Sequence, residues 1–163
     1  MTPFVAVVLV LAGLSEAIGR LLPMVAGLRG ASRRRVFWLV LAGAFVDAAV
    51  FALWPLTAWT VAELVLPVSP SGQNVLVWTP ALAAPLLLAA VLAFPLLGPL
   101  LHLLVMVGVG AGLASALGAV AGIGWWEAAG CVAVAGVGLG LAVEGVRHLV
   151  VRFNRTRTPE PLA

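Results

Sequence analysis

Apolar runs dominate the chain, and five of them are long enough to cross a membrane as helices. Crossing the hydrocarbon core of a bilayer takes a helix of about 20 predominantly apolar residues. The five runs cover about Phe4–Val25, Val36–Val61, Trp78–Leu97, Pro99–Ala121 and Trp125–Val151. The pattern therefore predicts an all-α, polytopic integral membrane bundle of about five transmembrane helices over residues 1–152, followed by a short basic tail at 153–163.

The composition excludes the other broad classes of protein. Hydrophobic residues make up 63% of the chain and charged residues 9%, and the mean hydropathy is +1.18. An ordinary soluble domain is nearer half apolar and a quarter charged. A water-soluble fold could not cover itself with so few charges, and a disordered chain would be far more polar. Five spans also leave no room for a separate folded domain.

The segment between Trp78 and Ala121 carries no charge and is too long for one crossing. A single straight helix over it would measure about 60 Å, twice the hydrocarbon thickness. Its one interruption is Phe94–Pro99, where two prolines and a glycine favour a tight turn. We predict a helical hairpin here, and a pair of re-entrant half-helices is the alternative. Both return the chain to the side from which it entered.

The basic residues indicate how the chain is oriented in the membrane. All nine are arginine, and they form two patches: Arg20, Arg29, Arg33, Arg34 and Arg35, then Arg147, Arg152, Arg155 and Arg157. The positive-inside rule places the Arg29–Arg35 loop and the tail in the cytoplasm, which predicts an N-out, C-in protein of the cytoplasmic (inner) membrane. Arginine without lysine, with abundant alanine, glycine and valine, points to a bacterial source. Patches beside apolar runs argue against a nucleic-acid partner.

Two further features agree with this orientation. The N-terminus has no basic region ahead of its first apolar run, so that run is predicted to be a retained span and not a signal peptide. Tryptophan is enriched at membrane interfaces. Five of the six tryptophans are predicted to lie near the outer interface, namely Trp54, Trp59, Trp78, Trp125 and Trp126.

Charged residues at membrane depth are costly, so each one is a candidate for function. Asp47 lies about 16 Å into the second span at 1.5 Å per residue, with no basic residue within four positions. It must be protonated or paired across a helix interface. Glu16 lies at a similar depth on the first span, and Arg20 follows it at the i, i+4 spacing of a helical ion pair. Proton or ligand binding and structural bonding between helices both remain open for these groups.

The polar residues inside the spans gather toward the predicted cytoplasmic side. Glu144 and Arg147 are three apart on the last span with His148 beside them, and His102 lies near the start of the fourth. The candidate intramembrane polar cluster is Glu16, Arg20, Asp47, His102, Glu144 and Arg147. An open pore needs polar lining along its whole length. The one-sided distribution suits a cytoplasm-facing pocket or a network that joins helices.

Small residues at helical spacing predict close helix packing on the last two spans. Such residues let helix backbones approach one another in lipid. The candidate packing residues are Gly108, Gly112, Ser115, Gly118, Gly122, Gly136 and Gly140. Packing of the fourth span on the fifth is the favoured interpretation, and contact between copies of the chain is the alternative.

No catalytic, cofactor or metal motif is present in the sequence. There is no phosphate-binding loop, no His-Glu-x-x-His and no Gly-x-Ser-x-Gly. The single cysteine, Cys131, excludes an internal disulfide or a cysteine metal cluster. We expect a non-enzymatic protein that acts by association, as an accessory or assembly subunit of a membrane complex or as a homo-oligomer. The alternatives are a small proton- or cation-coupled transporter using Asp47 or Glu16, and an enzyme or binder of lipid phosphate at the cytoplasmic face.

Overall fold

The computed structural model describes residues 2–26, 32–68, 76–93 and 99–156, and this part of the chain is all-helical with no strand. Its elements are α1 (Pro3–Ala26), α2 (Arg33–Val65), α3 (Pro80–Ala93), α4 (Pro99–Ala121) and α5 (Trp125–Thr156). The predicted all-α helical bundle is confirmed, with one helix for each apolar run. Helix α5 continues to Thr156, past the predicted start of the tail at residue 153.

Three of the helices are long and apolar enough to cross a membrane: α2 over Val36–Val65, α4 over Leu103–Ala121 and α5 over Trp125–Leu149. In α1 the described apolar stretch is shorter, Pro3–Gly19. Helix α3 has 14 residues and is therefore about 21 Å long. Helix α4 can cross alone, whereas α3 as described is shorter than a full span, and the turn at 94–98 lies outside the described residues. The hairpin and the pair of half-helices both stay predictions.

The five helices close into a ring through their contacts. Helix α1 packs against α2 and α3, α4 packs against α3 and α5, and α5 returns to α2. The order around the bundle is therefore α1, α2, α5, α4, α3. Helices α2 and α4 are not neighbours in this ring and make only a few contacts with each other. The predicted packing of the fourth span on the fifth is present. Leucines and valines fill the centre, including Val8, Leu86, Val109, Leu113 and Leu117, all fully buried.

The connection between α4 and α5 explains one of the candidate glycines. Gly122 has a φ of 68°, and its N–H and that of Ile123 both donate to the carbonyl of Gly118, at 3.0 and 3.2 Å. This left-handed residue terminates α4, since only glycine adopts the conformation without strain. Glu127 then accepts from the N–H of Gly124 at 3.0 Å and caps the start of α5. Gly122 is thus a helix cap, and an added Cβ there would meet nothing within 4 Å in the described residues, so its predicted packing role stays a prediction.

A proline inside α2 determines where Trp78 lies. Pro55 is fully buried within the helix and has no N–H, so the carbonyl of Phe51, four residues earlier, loses its helical donor. The indole Nε1–H of Trp78 donates to this carbonyl at 2.8 Å. Trp78 is only 5% exposed, so its ring packs inside the bundle with its N–H bonded and does not face lipid. Its predicted depth near the outer interface stays a prediction.

We expect Trp78→Phe to destabilise the protein by about 1–3 kcal/mol, because it leaves a buried carbonyl without a donor. Pro55→Ala supplies a backbone N–H at residue 55 that can bond the same carbonyl. Trp78→Phe should therefore cost less in a Pro55→Ala background than in the wild type. A double-mutant cycle of thermal unfolding in detergent measures this coupling. Equal costs in the two backgrounds would show that the bond to Phe51 contributes nothing.

Candidate functional site

An apolar cleft of about 520 Å³ lies between α2, α4 and α5. Because α2 and α4 make few contacts with each other, the side of α5 between them is left uncovered, and the cleft lies there. Helix α2 contributes Val50, Phe51 and Trp54, helix α4 contributes Met106, Val107, Gly110 and Ala111, and helix α5 contributes Trp125, Ala129, Val132, Ala133, Gly136, Val137 and Gly140. All three helices include candidate membrane spans. The cleft therefore belongs to the membrane-embedded part of the molecule.

Trp54 joins the three helices that form the cleft. Its Nε1–H donates to the carbonyl of Val132 on α5 at 2.9 Å. A Cβ added at Gly136 would meet the indole at 3.1 Å, and one added at Gly110 on α4 would meet it at 3.8 Å. The ring thus lies in a slot between two glycines from neighbouring helices. Gly136 accommodates a tryptophan ring, whereas the sequence predicted close approach of helix backbones.

The remaining candidate packing residues differ in their surroundings. Gly118 lies against the turn after α4, with the carbonyl of Ile123 3.2 Å from an added Cβ, and Gly112 lies 3.8 Å from Leu82 of α3. Ser115 accepts a hydrogen bond from the indole of Trp125 at 3.2 Å. An added Cβ at Gly108 or Gly140 would meet nothing within 4 Å in the described part of the chain. Within the described residues these two glycines pack against no other helix, and contact between copies of the chain stays the predicted alternative for them.

The closest backbone approach in the described residues involves a glycine that the sequence did not single out. A Cβ at Gly13 on α1 would lie 2.5 Å from both the Ala44 oxygen and the Ala48 nitrogen of α2. Gly13 and Ala17 do form a small-xxx-small pair in α1, and that signal was overlooked beside the richer glycine series of α4 and α5. The contact shows that α1 and α2 meet at the turn of α2 that contains Asp47.

Asp47 is the one buried charged residue in the described part of the chain, with 7% of its surface exposed. It lies within the candidate span Val36–Val65 and beside the contact with Gly13. Asp47 and Glu16 each take part in a polar or electrostatic interaction, so neither carboxyl group is isolated. The side chain of Arg20, the predicted shared cation, lies outside the described residues, as does that of His102.

The acidic and basic groups of α5 form a separate and exposed set. Arg147 contacts Glu144 at 3.4 Å, and His148 contacts the other carboxylate oxygen at 3.3 Å. The predicted proximity of these three residues is confirmed. Their side chains are about half exposed or more, at 53%, 49% and 80% for Arg147, Glu144 and His148. The structure therefore gives a buried acid at the α1–α2 contact and an exposed ion-pair group on α5, two surroundings instead of one cluster.

The arrangement has the chemistry of an apolar binding surface. In the described residues every buried side-chain nitrogen or oxygen has a hydrogen-bond partner. No three histidine, cysteine, aspartate or glutamate side chains in that part of the chain come close enough to hold a metal ion. The cleft lining offers hydrocarbon surface and two indole rings whose N–H groups are already bonded. It suits an apolar ligand or helix better than a polar substrate.

Comparison with known proteins returns no relative: no family model, no curated protein and no solved structure matches this chain.

Proposed function

We propose that this protein acts by association within the membrane, as an accessory or assembly subunit of a membrane complex or as a homo-oligomer. The observation that carries the proposal is one outward face of α5. Its residues follow one another at three- or four-residue spacing, so they share one side of the helix, and all are exposed: Gly130, Val134, Gly138, Leu141 and Gly145. A Cβ at any of the three glycines would meet nothing within 4 Å in the described structure.

Glycine in a helix interior costs stability, about 0.5–1 kcal/mol relative to alanine. Three of these glycines lie on a face that packs against nothing in the described part of the chain, so no contact there offsets their cost in stability. They do allow a second helix to approach closely, which is the main source of helix affinity in lipid. The exposed Val134 and Leu141 between them supply apolar side chains for such a contact.

The described structure supports the two alternative functions less well than it supports association. A proton- or cation-coupled transporter would depend on Asp47, which is buried, but Asp47 does not line the cleft between α2, α4 and α5, and that cleft is apolar with no charged lining residue. An enzyme acting on lipid phosphate would depend on exposed arginines such as Arg147, and the sequence carries no catalytic motif beside them. We therefore rank both below association.

Purification in mild detergent tests the proposal. We expect an oligomer or a co-purifying membrane subunit, measured by light scattering and mass spectrometry. Gly138→Leu should reduce the assembly, because it places a bulky side chain on the contact face. Gly140→Leu is the matched control, since Gly140 is equally open but lies on the cleft side of α5. A clean monomer that transports protons in liposomes, and loses this flux in Asp47→Asn, would instead establish the transporter.

We also propose the cytoplasmic (inner) membrane of a bacterium as the location, with the Arg29–Arg35 loop and the tail in the cytoplasm. The support is the confinement of arginine to one predicted side. In a Cys131→Ala background, an impermeant thiol reagent on intact cells should label Ser71→Cys but neither Ser32→Cys nor Thr158→Cys. Labelling of Ser32→Cys but not of Ser71→Cys would mean that the orientation is inverted. Labelling of both Ser71→Cys and Thr158→Cys would show that the middle segment crosses the membrane only once.

A further inference from the structure

The depth of the cleft in the bilayer follows from the length of α5. The helix begins at Trp125, a residue type that favours the membrane interface. At 1.5 Å per residue, the hydrocarbon core of about 30 Å ends about 20 residues later, near Gly145. The cleft residues Trp125 to Gly140 therefore lie at hydrocarbon depth. What surrounds the opening of the cleft there is lipid, not water.

The chemistry of the lining defines what can enter. Trp54 already donates its N–H to the carbonyl of Val132, and Trp125 donates to Ser115. The side chains of the cleft therefore offer no unsatisfied hydrogen-bonding group that a polar ligand could pair. Gly110 and Gly136 hold the ring of Trp54, which forms part of the lining, and Gly140 leaves open space beside it. A flexible hydrocarbon chain fits such a surface, and a polar substrate would lose its hydration there without compensation.

A cation lies on the same side of α5, beyond the end of the cleft. Val132, Gly136, Gly140 and Arg147 are separated by four, four and seven residues, so they share one face of the helix. Arg147 lies just past Gly145, and therefore at the depth of the headgroup layer, which is about 5–7 Å thick per leaflet. Its guanidinium contacts Glu144 at 3.4 Å. A guanidinium carries five N–H donors and can bridge a carboxylate and a phosphate.

We propose that the cleft between α2, α4 and α5 binds an acyl chain of an anionic phospholipid from the leaflet on the Arg147 side, with the lipid phosphate beside Arg147. One chain runs along the face of α5 from Arg147 into the cleft at Gly140. It ends near Trp54, close to the middle of the bilayer. The site is distinct from the outward face of Gly138 and does not depend on association of the protein.

Photolabelling of the full-length protein tests this site. The probe is a phosphatidylglycerol with a diazirine near the end of one acyl chain, in vesicles of phosphatidylcholine. We expect mass spectrometry to locate the label on cleft residues such as Val50, Met106 and Val137. Gly140→Leu fills the entrance and should reduce this labelling about tenfold, equivalent to about 1.4 kcal/mol. Gly138→Leu, on the other side of α5, should leave it unchanged.

The phosphate part of the site has its own control. Arg147→Gln should reduce labelling by the phosphatidylglycerol probe and not by a phosphatidylcholine probe with the same diazirine, while Arg152→Gln should change neither. Circular dichroism and gel filtration establish that each variant is folded. Equal labelling of Gly140→Leu and Gly138→Leu would overturn the proposal, because the probe would then be contacting the protein surface non-specifically. Loss of the oligomer in Gly140→Leu with labelling unchanged would overturn it too, since a second copy would then occupy the cleft.

Discussion

Gly13→Ala is expected to destabilise the bundle by about 3 kcal/mol, at the upper end of the range for overpacked cores. The added methyl group would lie 2.5 Å from both the Ala44 oxygen and the Ala48 nitrogen. Both are backbone atoms of a helix, so no rotamer change relieves the clash and α1 must move away from α2. The measurement is the midpoint of thermal unfolding in detergent, followed by gel filtration.

Gly19→Ala in the same helix is the matched control. Gly19 is exposed, and an added Cβ there would meet nothing within 4 Å in the described structure. Alanine is the better helix former by about 1 kcal/mol, so this variant should be as stable as the wild type or more so. If Gly13→Ala proved as stable as Gly19→Ala, the close contact between α1 and α2 would be wrong.

Trp54→Ala is expected to have the second large effect, a loss of about 3–5 kcal/mol, the range for removing a large aromatic side chain from a packed site. The substitution empties the slot between Gly110 and Gly136 and removes the bond to the Val132 carbonyl. Trp54→Phe keeps most of the ring contact and loses the hydrogen bond, so it should cost only about 0.5–1.5 kcal/mol.

Trp126→Ala provides the comparison for Trp54. Trp126 is 82% exposed and stacks edge-on against Trp125, at 4.7 Å between ring centroids, outside the bundle. Its removal should leave the unfolding midpoint nearly unchanged. Equal losses for Trp54→Ala and Trp126→Ala would mean that Trp54 does not join the three helices.

The helices could be predicted from the sequence because lipid imposes a simple rule on length and polarity. A chain segment in hydrocarbon must satisfy its backbone internally, so each apolar run of sufficient length forms a helix. The bounds of α4 and of the start of α5 were predicted to the residue, since Pro99, Gly122 and Gly124 mark them chemically. The described part of α3 begins at Pro80, two residues after the predicted start, and ends at Ala93, where the described residues stop.

The partners of individual side chains could not be predicted in the same way. Tryptophan favours a membrane interface by composition, but the free carbonyl of Phe51 and the slot beside Gly136 exist only once helices are adjacent. The presence of Pro55 inside a helix was enough to predict that one backbone carbonyl lacks its helical donor, since a proline has no N–H. Which residue would satisfy the carbonyl depended on the ring order of the helices, and no local pattern encodes that order.

The candidate polar cluster illustrates the limit of arguing from depth. Asp47 and Glu144 were grouped because both lie toward one side of the membrane. The structure buries Asp47 near Gly13 and leaves Glu144 exposed with Arg147 and His148. Depth gives one coordinate of a residue in a membrane protein. Its direction around the helix axis, set by packing, decides whether it meets protein or lipid.

Cysteine crosslinking in native membranes tests association through α5 most directly. In a Cys131→Ala background, Gly138→Cys places a thiol on the outward face, and Gly140→Cys places one in the cleft. Mild oxidation should convert Gly138→Cys to a covalent dimer of the chain, or to a defined adduct with another membrane subunit, and leave Gly140→Cys unlinked. Efficient crosslinking of Gly140→Cys with none for Gly138→Cys, or no crosslinking of either, would contradict association through this face.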